Sequence, residues 1–440
     1  MQQDTQRILI VGGRVIDPAS GLDQVTDIAI EEGQIAELGP GLSRRPADRV
    51  IEAAGLLVTP GLIDPHVHLR EPGQTAKEDI ASGSRAAVAG GFTTVCCMPN
   101  TSPALDTPEM VGWVLARAAQ TASCRVFPVS CATQGRKGEK LAPIGLCAQA
   151  GSVGVSDDGD VVASARIMQA VMQATKAAGL VFMQHAQETT LTRGSLMHAG
   201  AVSARLGLVG WPRIAEELIV ERDVRLSADT GCEYHVQHVS SAGTVEILRR
   251  ARAEGIRASG EASPHHLHLT HEACEGHNTA AKMNPPLREQ ADVDALRAGV
   301  ADGTITILAT DHAPHTAAEK AQPFEQAPFG IIGLESALPL YAEALVQSGA
   351  IDWPRLIELL TINPARLCRL ERQGLGMLTI GGPADVTLID PDLKWTLTAD
   401  QLAGKSSNTP FLGRELTGRA VMTIVAGTPR LERARDNAHT

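Results

Sequence analysis

The stretch Gly61-Leu-Ile-Asp-Pro-His-Val-His-Leu-Arg70 reads as a buried strand that ends abruptly in polar chemistry. Leu56, Leu57 and Val58 lead through the Thr59-Pro60-Gly61 break into Leu62 and Ile63, and His66 and His68 follow two residues apart. Alternate residues of a strand share a face, so both imidazoles project to one side. That is a metal-binding geometry if further ligands converge on it; for the tripeptide alone, a pair of polar loop histidines is an equally good reading. Arg70 takes the next same-face position. A fixed cation beside a metal points to an anionic substrate.

Working outward, this segment is the first of eight repeats of strand, polar tip and helix. The predicted strands cover 58–68, 91–100, 124–130, 152–156, 180–185, 232–238, 257–262 and 304–311. Between them, 161–178, 213–228 and 242–254 carry apolar residues at helical spacing. Eight such units predict an α/β fold, a (β/α)8 TIM-like barrel, over 59–375. Upstream, 8–58 alternates short apolar runs with turn residues, a β texture that returns at 381–390 and 420–427. Since chain ends often lie close together, 1–58 and 376–440 are expected to build one small β-sandwich domain beside the barrel.

This arrangement places Asn100, Asp157, His185, His238 and Asp311 at or just past the C-terminal ends of different strands, where barrel active sites are built. Each has a plain structural reading: Asp157 as a turn residue before Gly159, His185 as a buried satisfied histidine, Asp311 as a helix cap. Joint placement on one rim has no such explanation. Asn100 aside, they and the first two histidines supply six nitrogen and oxygen ligands, His66, His68, Asp157, His185, His238 and Asp311, and no thiolate. Such a set suits Zn²⁺ or another divalent ion. Six exceed one four-coordinate zinc and suffice for two metals sharing a carboxylate; one metal, with the surplus histidines supporting it, stays open.

Composition narrows the partners. The 440 residues carry a formal charge of -11 and a pI near 5.7, which excludes a nucleic-acid-binding surface and favours a small molecule. The eight cysteines show no close pairing and suit a reducing cytoplasm. The first residues lack an apolar signal core, and no uninterrupted apolar run approaches about 20 residues, so a soluble cytosolic protein is expected, without membrane contact. His265 and His266 are read as structural or as supports behind the ligands, His271 and His277 as solvated, Asp158 as a turn residue or such a support and not as a direct ligand, and 319–326 as a mobile loop.

The strings DPHVHLREPG (64–73), MPN (98–100), SDDG (156–159) and ATDHAPH (309–315) together resemble the bacterial type I dihydroorotases of the amidohydrolase superfamily. The resemblance runs from about Ile8 to Gly427. It implies that His66, His68 and Asp311 hold a buried metal, His185 and His238 a more exposed one, and that Asp157 bridges where many relatives use a carboxylated lysine. It further implies that Arg70, Asn100 and His315 grip the substrate carboxylate, that Asn284 touches the substrate, and that the backbone of Pro328, Phe329 and Gly330 meets the pyrimidine ring. The implied reaction is reversible hydrolysis of (S)-dihydroorotate to N-carbamoyl-L-aspartate by zinc-activated water, in pyrimidine biosynthesis, with Asp311 shuttling the proton. A homodimer and a complex with aspartate transcarbamoylase are compatible with it. Two rivals remain, an allantoinase or dihydropyrimidinase and a non-catalytic scaffold; Arg70 and His315 argue against the first, and the filled ligand positions against the second.

Overall fold

At Gly61 the chain leaves one sheet and enters another. A Cβ there would lie 2.0 Å from Thr93 Oγ1, so only glycine passes between the two layers. The computed structural model describes residues 6–434; the outermost parts of both predicted terminal segments, 1–5 and 435–440, lie outside the described residues.

Before Gly61 run β1 (Ile8–Asp17), β2 (Leu22–Glu31), β3 (Gln34–Gly39), β4 (Arg49–Glu52) and β5 (Leu57–Pro60). After it come β6 (Leu62–Val67), β7 (Phe92–Cys97), β8 (Arg125–Pro128), β9 (Phe182–Gln184), β10 (Met197–His198), β11 (Gly210–Trp211), β12 (Tyr234–Val236), β13 (Ala258–Ala262) and β14 (Ile307–Leu308). The chain ends in β15 (Val386–Thr396), β16 (Glu415–Val425) and β17 (Thr428–Glu432).

Both chain ends share one eight-stranded sheet, ordered β17-β16-β15-β5-β1-β2-β3, with β4 on β1. Alternation drives it: inward Ile8, Ile10, Val15, Ile28, Ile30, Val386, Leu388 and Ile424 form one buried cluster. The strand predicted over 58–68 is therefore two. Its first part, β5, pairs with β1 and antiparallel with β15, which moves the boundary of the terminal sheet from residue 58 to Pro60.

The remaining strands pair in parallel. β6-β7-β8 form one sheet and β14-β13-β12-β9 another. Single bridges join them: Ser130 to Val155 and Val155 to Phe182 on one side, Val67 to His312 on the other. The predicted strand at 152–156 thus contributes a bridge residue without a regular strand. Helices return between the strands as their spacing predicts, over Ala165–Ala177, Ile214–Thr230 and Ala242–Ala253. The last begins at Ser241, whose hydroxyl accepts from Thr244 N–H at 3.1 Å, and buries Val245, Ile247 and Leu248 against the strands.

Candidate metal centre

The C-terminal ends of the parallel strands bring His66, His68, Asp158, His185, His238 and Asp311 together. Three overlapping groups, His66/His238/Asp311, His66/His68/Asp158 and Asp158/His185/His238, each place their ligand atoms within 4.8 Å of one another, all buried. Asp158 reaches across the cluster: its carboxylate lies 3.5 Å from His66 Nε2, 3.4 Å from His68 Nε2, 3.7 Å from His185 Nδ1 and 3.6 Å from His238 Nε2. Asp311 Oδ1 lies 3.0 Å from His68 Nε2. Buried imidazoles and carboxylates without thiolate, converging to this degree, fit a divalent cation.

Asp157 is a correction. Its carboxylate turns away from the cluster and accepts from Ala132 N–H at 2.9 Å, Thr133 N–H at 3.1 Å and the Thr133 hydroxyl, closing the turn after β8. The neighbour read as a turn or supporting residue, Asp158, occupies the central place instead. Burial pushes the Asp157 carboxyl up to about 6. Backbone strain concentrates here as well: Arg70, His238 and Asp311 are three of the eight non-glycine residues with positive φ among the described residues.

Three of the four cluster histidines are oriented from their far side. His66 Nδ1 lies 2.5 Å from Glu261 Oε1, His68 Nδ1 2.9 Å from Asn100 Oδ1, and His185 Nε2 3.1 Å from Gln187 Oε1. Glu261 also reaches His235 Nε2 at 3.0 Å, and His235 Nδ1 lies 2.8 Å from Ser259 Oγ. Asp64 accepts from His66 N–H at 3.0 Å and Thr310 N–H at 3.1 Å, locking the two strand ends together, and burial raises its carboxyl to about 7. Glu261, Gln187 and Asp64 escaped the sequence reading, although a carboxylate inside an otherwise buried strand is the signal that marks Glu261.

Above the cluster is a cavity of about 220 Å³. Of the predicted residues, His68, Arg70, Asn100, His185, His238, Asn284, Asp311, His315, Phe329 and Gly330 line it; His66 lies beneath, and Pro328 does not reach it. Pro328 is a correction with a cause, since its carbonyl accepts from Lys320 at 3.0 Å. Lys77, unforeseen, adds a second cation to the wall. Burial lowers Arg70 to about 10, still charged at neutral pH. Asn284 Oδ1 is buried without a partner.

Comparison with known proteins decides the family. A curated dihydroorotase from Pelobacter propionicus is 49% identical over 420 residues, covering 96% of this chain and 98% of that protein. One from Geobacter sp. is 47% identical over the same share of both chains. A family profile described as "Dihydro-orotase-like" matches residues 55–244.

The chain belongs to the dihydroorotase family.

Solved structures agree on the architecture. L-hydantoinase (dihydropyrimidinase) from Arthrobacter aurescens superposes with a TM-score of 0.87 at 25% identity, covering 97% of this chain and 96% of the other. A D-hydantoinase at 21% identity and a TM-score of 0.84 supports the fold alone.

In this dihydroorotase-family chain the wall from 316 to 330 is pinned, contrary to the expected mobile loop. Lys320 is buried and donates to the carbonyls of Pro328 and Gly330, both at 3.0 Å, and Lys282 donates to that of Ala327 at 2.7 Å. Burial and then the charge of Lys282 hold Lys320 down to about 7. His315 Nε2 lies 2.7 Å from the Phe329 carbonyl; burial, then Arg70, lower it to about 2, so it stands neutral. His266 is structural as expected, bonded to Ser263 Oγ and the Pro285 carbonyl at 2.7 and 3.0 Å. His265 is buried beside it with Nε2 unpartnered, and His271, expected to be solvated, is buried against His198. All eight cysteines are free and buried, and among the described residues no helix is long and apolar enough to cross a membrane.

Proposed function

We propose that this cluster is the catalytic centre at which the chain opens dihydroorotate to N-carbamoyl-L-aspartate and closes it again. One observation carries the reading: a guanidinium, Arg70, lines the same cavity as the Asp158-centred histidines. A metal centre alone suits any cyclic amide. A cation fixed beside it selects one bearing a carboxylate, which separates dihydroorotate from hydantoins, allantoin and dihydrouracil.

His66, His68 and Asp311 would hold one metal and His185 and His238 the other, with Asp158 between them. Divalent metal bound there, zinc being the natural occupant of such donors, acidifies water and polarises the carbonyl. The chain's own groups do the rest. Arg70, with Lys77 nearby, binds the substrate carboxylate, and Asn284 Oδ1 accepts a ring N–H. Water oxygen bonds to the ring carbonyl carbon as the carbon–nitrogen bond breaks. Asp311 takes the proton from that water and delivers it to the departing nitrogen; in the other direction it returns it.

The fold serves this placement. The parallel strands and their bridges support a closed (β/α)8 barrel as the catalytic domain, with the terminal sheet, 1–58 together with 376–440 in outline, as a second small β domain. The filled ligand positions favour the type I branch and an active enzyme over a scaffold; a homodimer or a complex with aspartate transcarbamoylase is compatible with activity. Eight unpaired thiols fit a reducing cytoplasm. The test is turnover of dihydroorotate, allantoin and dihydrouracil by purified protein, with metal content measured on the same sample. Dihydroorotate should be hydrolysed far faster than the other two, by protein carrying stoichiometric zinc. Faster turnover of an uncharged ring, or an inactive metal-free chain, overturns the reading.

A further inference from the structure

The opposite end of the parallel strands holds a second cavity, of about 450 Å³. Glu233, Ala258 and Ile307 in its wall stand at the starts of β12, β13 and β14, so it lies across the strand layer from the histidine cluster. Four arginines, Arg252, Arg355, Arg366 and Arg369, line it with only two acids, Glu233 and Glu358. Those acids account for two of the cations: Arg369 pairs with Glu233, and Arg355 with Glu358 at 2.5 Å. Arg252 donates to the Asp302 carbonyl at 2.8 Å, and among the described residues neither it nor Arg366 has a carboxylate partner. Asp302 cannot serve, because its carboxylate is held by Arg249 at 2.7 Å and Thr304 N–H at 2.9 Å.

Arg252 also stands beside Arg355, the arginine paired with Glu358. A Cβ built on Gly303 would lie 3.2 Å from Arg252 Nη1 and 3.5 Å from Arg355 Nη2. In the same wall Thr304 is buried with its Oγ1 unpartnered. This concentration of uncompensated positive charge occurs in a chain whose formal charge is -11, so local design, and not overall composition, sets the sign. Guanidinium forks match the oxygens of a phosphoryl group, and two of them balance its double charge. The volume falls within the ~300–1,000 Å³ of small-molecule sites, well beyond what a bare ion needs.

We propose that this cavity binds a small phosphorylated molecule, with Arg252 and Arg366 on the phosphoryl group and the remainder of the ligand in the space beside Gly303. The test is isothermal titration of the full-length protein with inorganic phosphate, pyrophosphate and ribose 5-phosphate, with carbamoyl aspartate saturating the catalytic mouth. Saturable binding is expected, tighter for ribose 5-phosphate than for phosphate. Arg366→Met and Arg252→Met should each weaken it by about tenfold or more, the scale of one charge-assisted contact. Both variants should keep full turnover, which also shows that they fold, and Arg70→Met should leave the titration unchanged. The assignment is overturned if none of the three probes binds up to about 10 mM, the weak end of the affinity scale. Binding that survives the double substitution, that is lost with Arg70→Met, or that prefers free phosphate to the ester overturns it equally.

Discussion

On the floor of the catalytic cavity three of the four cluster imidazoles are tied from behind by a side chain, His66 by Glu261, His68 by Asn100 and His185 by Gln187. The segment from 316 to 330, whose Phe329 and Gly330 form part of the wall, is held differently: two ammonium groups, Lys282 and Lys320, donate to its backbone carbonyls and form no ion pair among the described residues. The floor fixes the aim of individual side chains; the wall fixes the path of a chain. Damage to the floor should therefore appear as lost metal or lost chemistry, and damage to the wall as weakened substrate binding. The two kinds of defect are separable by measurement.

The largest effect is expected from Asp311→Asn. Its turnover should fall by about 10²–10⁴-fold, the range for losing a general acid–base group, while circular dichroism stays native; near-normal turnover would remove Asp311 as the proton carrier. Asp158→Ala should fail to retain stoichiometric metal, whereas Asp157→Ala should retain it and lose about 1–3 kcal/mol of stability through the unpaired N–H groups of Ala132 and Thr133. Metal analysis and thermal melting of the two variants compare adjacent residues directly, and the reverse pattern would exchange their roles. Next in size, Glu261→Gln should weaken metal affinity by about 10–100-fold, read by competition with a chelator.

On the substrate side, Arg70→Met should raise KM for dihydroorotate by about 10–100-fold, the weight of a charge-assisted bond, with kcat changed less. An unchanged KM would detach Arg70 from the carboxylate. The smallest change is expected from Lys320→Met, a rise in KM of a few-fold with metal content intact; loss of metal would erase the distinction between floor and wall. A pH series sharpens this. With its amine lowered to about 7 in the folded protein, Lys320 binds fewer protons there than in the unfolded chain between that pH and its ordinary range near 10.5. Wild-type stability relative to Lys320→Met should thus rise with pH across that window.

How far the sequence reveals all this depends on what the local pattern constrains. Apolar alternation located the strands on both sides of Gly61, and the polar residues that end them pointed to one rim. It did not separate Asp157 from Asp158, because facing is read from strand register and 152–156 forms no regular strand. The charged run beginning at Glu319 read as a mobile loop for a related reason: Lys320 is satisfied by carbonyls, and carbonyls leave no mark in the sequence. His271 was misjudged likewise, since its cover comes from His198, 73 positions away in the chain and brought in by tertiary packing alone.

Glu261 carries one more consequence. An ionised carboxylate only accepts, so both of its ring contacts must be N–H donations. His66 Nδ1 therefore carries a hydrogen, so Nε2 is the one ring atom that can offer a lone pair to a metal, and His235 Nε2 carries a hydrogen as well, with its Nδ1 turned to Ser259 Oγ. A single buried acid thus decides which nitrogen of each of two rings must bear a hydrogen, so the atom left to face a metal is chosen by a residue that never touches it.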